Sequence, residues 1–324
     1  MATTPLWIGI DVASRVLDIS FGSQGKTLQV ANNPDGHRIL VKQFRHVPIA
    51  GIICEATGSY HHDLAFALWD ADLPLTIVNP AWIKRWRGHH GKYAKTDRAD
   101  ARLLADYGEY HQPAPSQVPS QEERELKALL SARADVLKDY QATHNRLRVT
   151  KHPIVKATLE RRLQTLKEDR AALEAAIDAI IASSPDLAAR RVQLMSMPGI
   201  GPIISAILLI LLPELGSLNR REIAALAGLA PIANDSGTTS GKRWVRGGRS
   251  DIRQAMYMAA RACGKHPALV SRKQRLRARG KPVKVVRIAL ARWMLTMLNV
   301  MVRDGLTWND LDQSRRIVEV PTNA

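Results

Sequence analysis

Cysteine is almost absent from this chain of 324 residues, which has only Cys54 and Cys263, far apart in the sequence. A disulfide framework or a cysteine-based zinc site is therefore not expected, and the composition suits a reducing cytoplasm. Long apolar runs are also absent, because the longest, 203–212, is ended by Pro213 and Glu214 and is too short to span a membrane. The N-terminal residues lack the basic start and apolar core of a signal peptide. We expect a cytoplasmic chain without a membrane partner.

Acidic residues are scarce relative to basic ones. The chain has 30 Asp and Glu against 47 Lys and Arg, a formal net charge of +17, and a pI near 10.3. This excess bears on partners rather than on fold, and it indicates nucleic acid before an anionic membrane. With 45% hydrophobic and only 5% aromatic residues, the chain is typical of a helix-rich globular protein, and its length allows two or three domains.

Short apolar runs in the first 80 residues predict a sheet. Strands are predicted at 6–10, 17–21, 26–30, 49–54 and 75–78, with helices over about 37–46 and 64–69. Strands first in series and then alternating with helices indicate an α/β layer, in which ligands gather beyond the carboxyl ends of strands. Asp11 follows the first strand and Glu55 follows the fourth. Both acids are therefore candidate site residues.

A second acidic pair opens a predicted helix in the segment 95–101. Asp97 and Asp100 are three residues apart, so they point to the same side of that helix. Two carboxylates on one face repel unless a cation lies between them, and a divalent metal ion would suit. The segment alone favours a simpler interpretation, a solvated first turn in which Arg98 pairs locally.

Two long helices are predicted between about 120 and 183, separated by Pro153. Apolar residues recur there in steps of four and three, with charged residues elsewhere. This heptad-like spacing predicts a helical hairpin or the seam of a homodimer. His144 occupies a seam position, for which a packing role is the better interpretation.

The segment 198–201, Pro-Gly-Ile-Gly, joins two helical runs in the C-terminal part. Gly199 and Gly201 would let backbone N–H groups face a phosphate, as in a helix-hairpin-helix. An ordinary corner between two helices explains the segment equally well. A long basic loop follows at 234–249, and long loops in compact domains are usually functional or disordered.

Basic and aromatic residues mark a candidate nucleic-acid surface. The run 272–287 is rich in basic residues and has no acid, so a phosphate-binding surface is favoured over a merely solvated face. Trp82 and Trp86 alternate with positive charge and could stack on bases, although their spacing also suits a helix packed on the sheet. Nucleic-acid contacts are predicted for Trp82, Lys84, Arg85, Trp86, Arg87, Lys95, Gly199, Gly201, Lys242, Arg243, Arg246, Arg249, Arg272, Lys273, Arg275, Arg277, Arg279 and Lys281.

Taken together, Asp11, Glu55, Asp97 and Asp100 resemble the four-carboxylate site of the ribonuclease-H-like (RuvC-like) Holliday-junction resolvases. In that fold the acids hold two magnesium ions, which stabilise the attacking and leaving oxygens of a phosphoryl transfer. The resemblance implies a ribonuclease-H-like N-terminal domain with Mg²⁺ as its cofactor.

Further blocks extend the resemblance over nearly the whole chain, in the order 8–11, 54–58, 79–80, 95–101, 198–201, 227–231 and 236–237. Together they resemble the DEDD-type transposases of insertion-sequence family one-hundred-and-ten, relatives of a pilin-gene invertase. In that family the four acids bind magnesium, and a serine of the C-terminal domain attacks the DNA phosphate. The matching serine is Ser236, with Ser240 and Ser250 as alternatives because the loop length differs slightly. The best-understood branch uses a structured non-coding (bridge) RNA that pairs with target and donor DNA.

These expectations combine into an α/β plus α protein of three domains. They are a ribonuclease-H-like catalytic domain at 1–118, coiled-coil helices at 119–185, and a mostly helical transposase domain at 186–324. The resemblance implies a bacterial, nucleoid-associated recombinase that uses Mg²⁺, a guide RNA and a covalent phosphoserine intermediate, and that forms a dimer or tetramer. The runner-up is a metal-dependent nuclease that resolves branched DNA by hydrolysis, with Ser236 as a bystander. A non-catalytic scaffold comes third, because it explains the charge but not the four acids.

Overall fold

The computed structural model describes residues 5–56, 60–89, 97–232, 241, 243–264 and 266–313, and of Asp97, Asp312 and Gln313 only the backbone. Contacts within the chain divide it into two compact units, Met1–Pro119 and Ser120–Ala324. Some of the predicted site residues lie outside the described residues, namely Lys95, Ser236, Ser240 and Lys242.

The N-terminal unit is built on a five-stranded mixed sheet. Its strands are β1 (Leu6–Val12), β2 (Val16–Phe21), β3 (Thr27–Ala31), β4 (Ile49–Glu55) and β5 (Leu75–Val78). Their order across the sheet is β3-β2-β1-β4-β5. β2 is antiparallel to both β1 and β3, whereas β1, β4 and β5 run parallel to one another. The carboxyl ends of β1, β4 and β5 therefore lie at the same end of the sheet.

Helices cover both faces of this sheet: α1 (Pro34–Phe44), α2 (His62–Trp69), α3 (Pro80–His89) and α4 (Asp97–His111). Successive side chains along β1 point to opposite faces of the sheet, so this strand contributes to a hydrophobic cluster on each face. Ile8 and Ile10 are buried in a cluster with apolar side chains of α1 and α2. On the opposite face, Trp7 packs with apolar side chains of α3 and α4.

The C-terminal unit is mostly helical. Its helices are α5 (Gln121–Val149), α6 (Pro153–Ser183), α7 (Pro185–Met195), α8 (Pro202–Leu211), α9 (Arg220–Leu226), α10 (Ser250–Ala262), α11 (Pro267–Ala278), α12 (Val283–Asp304) and α13 (Trp308–Gln313). A two-stranded ribbon, β6 (Pro231–Ile232) and β7 (Trp244–Val245), lies between α9 and α10.

The two long helices α5 and α6 form an antiparallel hairpin within the chain. Arg133 pairs with Glu174 at 2.7 Å, and farther along α5 Asp139 pairs with Arg162 at 3.5 Å. Later residues of α5 therefore pair with earlier residues of α6, as in two antiparallel helices. Of the two predicted uses of the heptad-like spacing, the structure shows the hairpin.

Helix α12 is the central helix of the C-terminal core, with Leu290, Met294, Leu298 and Met301 almost fully buried. In the described part of the chain it is the one helix long and apolar enough to cross a membrane, but 61% of its apolar window is buried inside the protein. Its hydrophobicity is therefore explained by its place in the core.

Most predicted elements are found, with small shifts at their ends. All five predicted strands exist, and β5 spans the predicted residues. α1 begins at Pro34 rather than 37, because the Asn33 side chain accepts a hydrogen bond from the Gly36 N–H at 2.9 Å and caps the helix. The ribbon β6–β7 was not predicted, and only its second strand, β7, falls inside the segment 234–249 that was predicted as a loop.

Candidate active site

Asp11 and Glu55 lie on neighbouring parallel strands, at the carboxyl ends of β1 and β4. The residues just before them are paired in register, and both acidic side chains are partly buried. Alternation along a strand places Asp11 on the same face as Gly9, and Glu55 on the same face as Ile53. Ile53 is buried against α4, and Gly9 contacts α4 as well. The two acids therefore share the face of the sheet that α4 covers.

Gly9 allows α4 to cross β1 in direct backbone contact. A Cβ atom at this position would lie 2.0 Å from the carbonyl oxygen of Ala101 and 2.5 Å from the amide nitrogen of Ala105. Farther along the helix, a Cβ on Gly108 would lie 2.6 Å from the indole of Trp7. The helix therefore runs antiparallel to β1, and its N-terminal end lies at the carboxyl end of the strand.

The rise of the two elements shows where the first turn of α4 falls. The two residues from Gly9 to Asp11 span about 6.6 Å of strand, and a helix spans that distance in about four residues. Gly9 contacts residues 101–105 of α4. The position four residues before the middle of that range is about residue 99. The first turn of α4, which carries Asp97 and Asp100, is therefore level with Asp11.

Asp100 is held by an ion pair inside the N-terminal unit. Its carboxylate is buried and lies 2.7 Å from an Nη atom of Arg87, on α3. An arginine beside a group of acids offsets part of their repulsion. Arg87 was predicted to contact nucleic acid, whereas the structure gives its guanidinium a partner within the protein.

The donor set at this end of the sheet suits magnesium. Hard divalent cations prefer carboxylate oxygens, and burial, together with the charge of Glu55, raises the pKa of the Cys54 thiol to about 12, so it adds no soft ligand. Among the side chains that the structure describes, no group of three or more His, Cys, Asp or Glu is placed to hold a metal ion. Asp97 is a predicted ligand, but its side chain is not among those that the structure describes.

Trp82 and Trp86 have different environments on α3. The Nε1–H of Trp86 donates a hydrogen bond to the Asp106 carboxylate at 3.0 Å, which ties α3 to α4. Trp82 is 55% exposed, and Lys84 and Arg85 beside it are exposed too. Packing onto the sheet layer thus explains Trp86, and nucleic-acid contact stays a prediction for Trp82, Lys84 and Arg85.

Ser236 lies in the connection 233–243, whose two ends are joined by the ribbon β6–β7. These strands pair antiparallel, so Ile232 and Trp244, which flank this connection, lie side by side. Ser250, one of the alternative nucleophiles, is instead the exposed first residue of α10.

Two glycine turns hold the base of this ribbon by backbone contact. A Cβ on Gly248 would lie 2.2 Å from the amide nitrogen and 2.6 Å from the Cα of Gly228. Both glycines have positive φ, 63° at Gly248 and 64° at Gly228, where side chains are disfavoured. The close approach requires glycine on both sides.

Arg249 anchors the chain just after the ribbon. Its Nη atoms donate to the two carboxylate oxygens of Glu214 at 2.5 and 2.7 Å, and one of them also donates to the Leu211 carbonyl at 3.1 Å. Burial, the largest single cause, raises the pKa of Glu214, but the hydrogen bonds from Arg249, a backbone hydrogen bond and the charge of Arg249 together lower the pKa below its ordinary value. Arg249 was predicted as a phosphate contact, and the structure shows both Nη atoms bonded within the protein.

Alanine at Gly248 should destabilise the protein far more than alanine at Gly247. Both residues have similar positive φ, 63° and 70°, so each variant should lose about 1–2 kcal/mol from the left-handed backbone. Only the new Cβ at Gly248 meets backbone atoms, since nothing lies within 4 Å at Gly247. We expect Gly248→Ala to lower the free energy of unfolding by a further 2 kcal/mol or so, measured by urea unfolding. Equal losses in the two variants would show that the glycine contact does not hold the ribbon.

Gly199 and Gly201 have different roles in the turn before α8. Gly199 has φ 95°, and a Cβ on it would lie 2.6 Å from the Ala259 carbonyl oxygen on α10. Gly201 heads α8 without a side-chain cap, and a Cβ there would meet nothing within 4 Å. The corner between helices explains Gly199, and a phosphate contact stays a prediction for the backbone at Gly201.

The predicted basic run 272–287 falls on α11 and the start of α12. Arg272 is an exception within it, because this residue is only 6% exposed. The other predicted contacts in the C-terminal unit with exposed side chains are Arg243, Arg246, Arg275, Arg277, Arg279 and Lys281, and Lys273 is half-buried.

Sequence reasoning also missed the role of Gly9 and the burial of Arg272. The role of Gly9 could have been found, because a glycine inside an apolar strand signals the close approach of another backbone. The burial of Arg272 could not, because its neighbours in the sequence are much like those of the exposed Arg277.

Comparison with known proteins identifies the family. Residues 8–150, which contain all four acids, match a family described as "Transposase" of the DEDD type of IS110, and residues 192–279 match the "Transposase IS116/IS110/IS902 family". The chain is 30% identical over 311 residues to the "Pilin gene-inverting protein" of Moraxella lacunata and to that of Moraxella bovis, covering 92% of this chain and 96% of each relative. It is also 37% identical over 155 residues to an uncharacterised 43.6 kDa protein of insertion element IS110 from Streptomyces coelicolor, covering 47% of this chain and 37% of that protein. The chain therefore belongs to the IS110 family of transposases, which are DNA-processing enzymes.

Proposed function

We propose that this transposase is a recombinase that cuts and rejoins DNA through Ser236, with Asp11, Glu55, Asp97 and Asp100 as its acidic site. The observation that carries the proposal is the convergence of the acids. Two neighbouring strand ends and the first turn of α4 lie at the same end and on the same face of one sheet. Acids placed so close together would repel one another without cations.

In this proposal the four acids hold two Mg²⁺ ions in a ribonuclease-H-like domain, which the mixed five-stranded sheet supports. When bound, the ions stabilise charge on the attacking and leaving oxygens of a phosphoryl transfer. The protein fixes its carboxylates in advance. Arg87 holds that of Asp100, and the contact of α4 with Gly9 fixes the helix against β1.

Ser236 supplies the nucleophile. Its Oγ forms a bond to the phosphorus of a DNA strand, one phosphate ester bond of that strand breaks, and the serine proton ends on the leaving oxygen. The phosphoserine link conserves the phosphodiester, so attack by a strand-end hydroxyl rejoins the DNA and returns a proton to the serine. No histidine is near Ser236 in the sequence, and Asp235 directly precedes it, so we assign help in activating the hydroxyl to an acid.

A structured guide RNA would supply the choice of DNA sequence. The net charge of +17 favours phosphate contacts, which position nucleic acid but carry no sequence information. We therefore propose donor DNA, target DNA and the RNA as partners, acting with a dimer or tetramer of the chain in the bacterial cytoplasm, at the nucleoid. The proposed domains are 1–118 for the acids, 119–185 for the long helices, and 186–324 for the serine.

The test is a search for the covalent link. Protein, Mg²⁺, labelled DNA carrying the junction of the insertion element, and RNA co-purified from cells that express the whole element are mixed and run on a denaturing gel. Wild type and Ser240→Ala should give a protein–DNA band, and Ser236→Ala should give none.

The other outcomes assign different chemistry. A band that persists in Ser236→Ala but disappears in Ser240→Ala or Ser250→Ala would move the nucleophile to that serine. Cleavage without any band, unchanged by Ser236→Ala, would indicate the alternative, a metal-dependent nuclease acting by hydrolysis.

A further inference from the structure

Arg272 is a buried cation that has no acidic partner in the part of the chain that the structure describes. It lies on α11 with 6% of its surface exposed, and its guanidinium carbon is 4.7 Å from the centre of the Trp293 ring. Its Nε atom has no hydrogen-bond partner among the described residues. Contact with an aromatic face stabilises a guanidinium, but it leaves this N–H unsatisfied.

The charged groups of described residues that affect Arg272 are also cations. Burial and the charges of Arg275, Arg220 and Arg292 lower the pKa of Arg272 to about 10. Burial and the charge of Arg220 lower the pKa of Arg292 as well. These arginines come from three helices, because Arg220 is on α9 and Arg292 is on α12.

A cavity opens at this cluster. It is small, with a volume of about 30 Å³, and its lining is Arg272, Arg275, Leu276 and Arg279. Arg275 and Arg279 are exposed at its sides, so the cavity reaches solvent. Like charges gathered beside a buried cation are unfavourable without an anion between them. Guanidinium groups bind the oxygens of a phosphate in pairs and are well suited to such a site.

We propose that Arg272, together with Arg275 and Arg279 in the lining of the cavity, forms a receptor for one backbone phosphate of duplex DNA. This inference rests on the proposed function for its choice of DNA. It differs from a general basic surface, because the buried guanidinium of Arg272 has a defined position before DNA binds. The exposed residues Arg277 and Lys281 continue positive charge along the same segment, as a DNA strand that passes over the cavity requires.

The first experiment measures melting temperature with inorganic phosphate against chloride at equal ionic strength. Phosphate at about 100 times its dissociation constant should raise the melting temperature of wild type by roughly 5–10 °C. Arg272→Met should lose this increase, and Arg272→Lys should lose most of it because lysine lacks the paired donors. Arg277→Met is the matched control, since it removes the same charge from an exposed position of α11, and it should keep the increase.

The phosphate-dependent shift decides the outcome. Without phosphate, Arg272→Met should melt no lower than wild type, because methionine removes an unpaired buried charge and keeps the volume. If Arg272 only packs against Trp293, the variant would melt lower and phosphate would act equally on it and on wild type. That result would overturn the proposal.

The second experiment tests DNA as the source of the phosphate. Binding of duplex DNA is measured against salt without Mg²⁺, in the Ser236→Ala background, so that no cleavage is needed. Arg272→Met should make the slope of log affinity against log salt shallower by about 0.9, the value for one phosphate contact. Arg161→Met, an exposed arginine of the α5–α6 hairpin, should leave the slope unchanged.

The two experiments separate this inference from the proposed function. Loss of the phosphate shift with an unchanged DNA slope would show a site for free phosphate and overturn the assignment to DNA. A covalent protein–DNA band in wild type without any phosphate shift would leave the recombinase standing and remove the receptor. A phosphate-dependent shift in melting temperature and a shallower salt slope, without a covalent protein–DNA band, would leave the receptor standing and remove the recombinase.

Discussion

Asparagine at Asp11 should abolish strand cleavage while the protein stays folded. Asp11 is the next-to-last residue of β1, on the face that α4 covers and beside Glu55, so it is central to the proposed acidic site. Asparagine keeps the shape of the side chain and removes the charge that a metal ion requires. We expect the rate of cleavage to fall by at least about 100-fold, because even residues that only support metal ligands contribute 10–100-fold. The measurement is the rate at which cleaved and protein-linked DNA form on denaturing gels.

The control for this prediction is Asp35→Asn, the same chemical change on α1. Asp35 is exposed and pairs with Arg38 at the protein surface, so cleavage should be unaffected. Melting temperature separates catalysis from folding. Cleavage is therefore measured well below the melting temperature of Asp11→Asn, where both proteins are folded. Cleavage at the wild-type rate in Asp11→Asn would contradict the acidic site and favour a non-catalytic scaffold.

The positions of the acids on their elements could be predicted because those positions depend on local patterns. β4 ends at Glu55 and α4 begins at Asp97, as the apolar runs and the acidic pair indicated. Strand alternation and helix capping act over a few residues. The ends of these strands and helices can therefore be predicted without knowing which elements pack against them.

The contacts that complete the site could not be predicted, because they join residues far apart in the sequence. The pairing of β1 with β4 sets Asp11 beside Glu55, and it depends on the crossover between the two strands. Arg87 was predicted to contact nucleic acid by its charge alone, since nothing local showed that it reaches Asp100. The contact of Gly228 with Gly248 likewise depends on the ribbon β6–β7. Its strands of two residues are too short to be predicted from the sequence.

Alanine at Gly9 should strongly destabilise the N-terminal unit, because β1 and α4 leave no room for a Cβ atom between them. Its new Cβ would lie 2.0 and 2.5 Å from backbone atoms of α4, and backbone cannot rotate away as a side chain can. The helix must therefore move off β1, which should lower the free energy of unfolding by at least about 3 kcal/mol, the upper end of overpacking in cores. Urea unfolding measures this loss. Gly88→Ala on α3 is the control, since its Cβ would meet nothing within 4 Å and should change stability by less than about 0.5 kcal/mol.

Gly9→Ala should also reduce cleavage beyond its effect on folding, because α4 carries Asp97 and Asp100. A displacement of about 1 Å at a catalytic group can cost roughly 100-fold in rate, and we expect a loss of that order per folded molecule. Gly108→Ala is the matched variant on the same helix, because its Cβ would meet side-chain atoms of Trp7 and Ile53, at 2.6 and 2.9 Å. Those side chains can shift while α4 keeps its contact with Gly9, so this variant should lose stability but retain cleavage within a few-fold. If both variants lost cleavage only in proportion to unfolding, the position of α4 on β1 would not be what sets the acidic site.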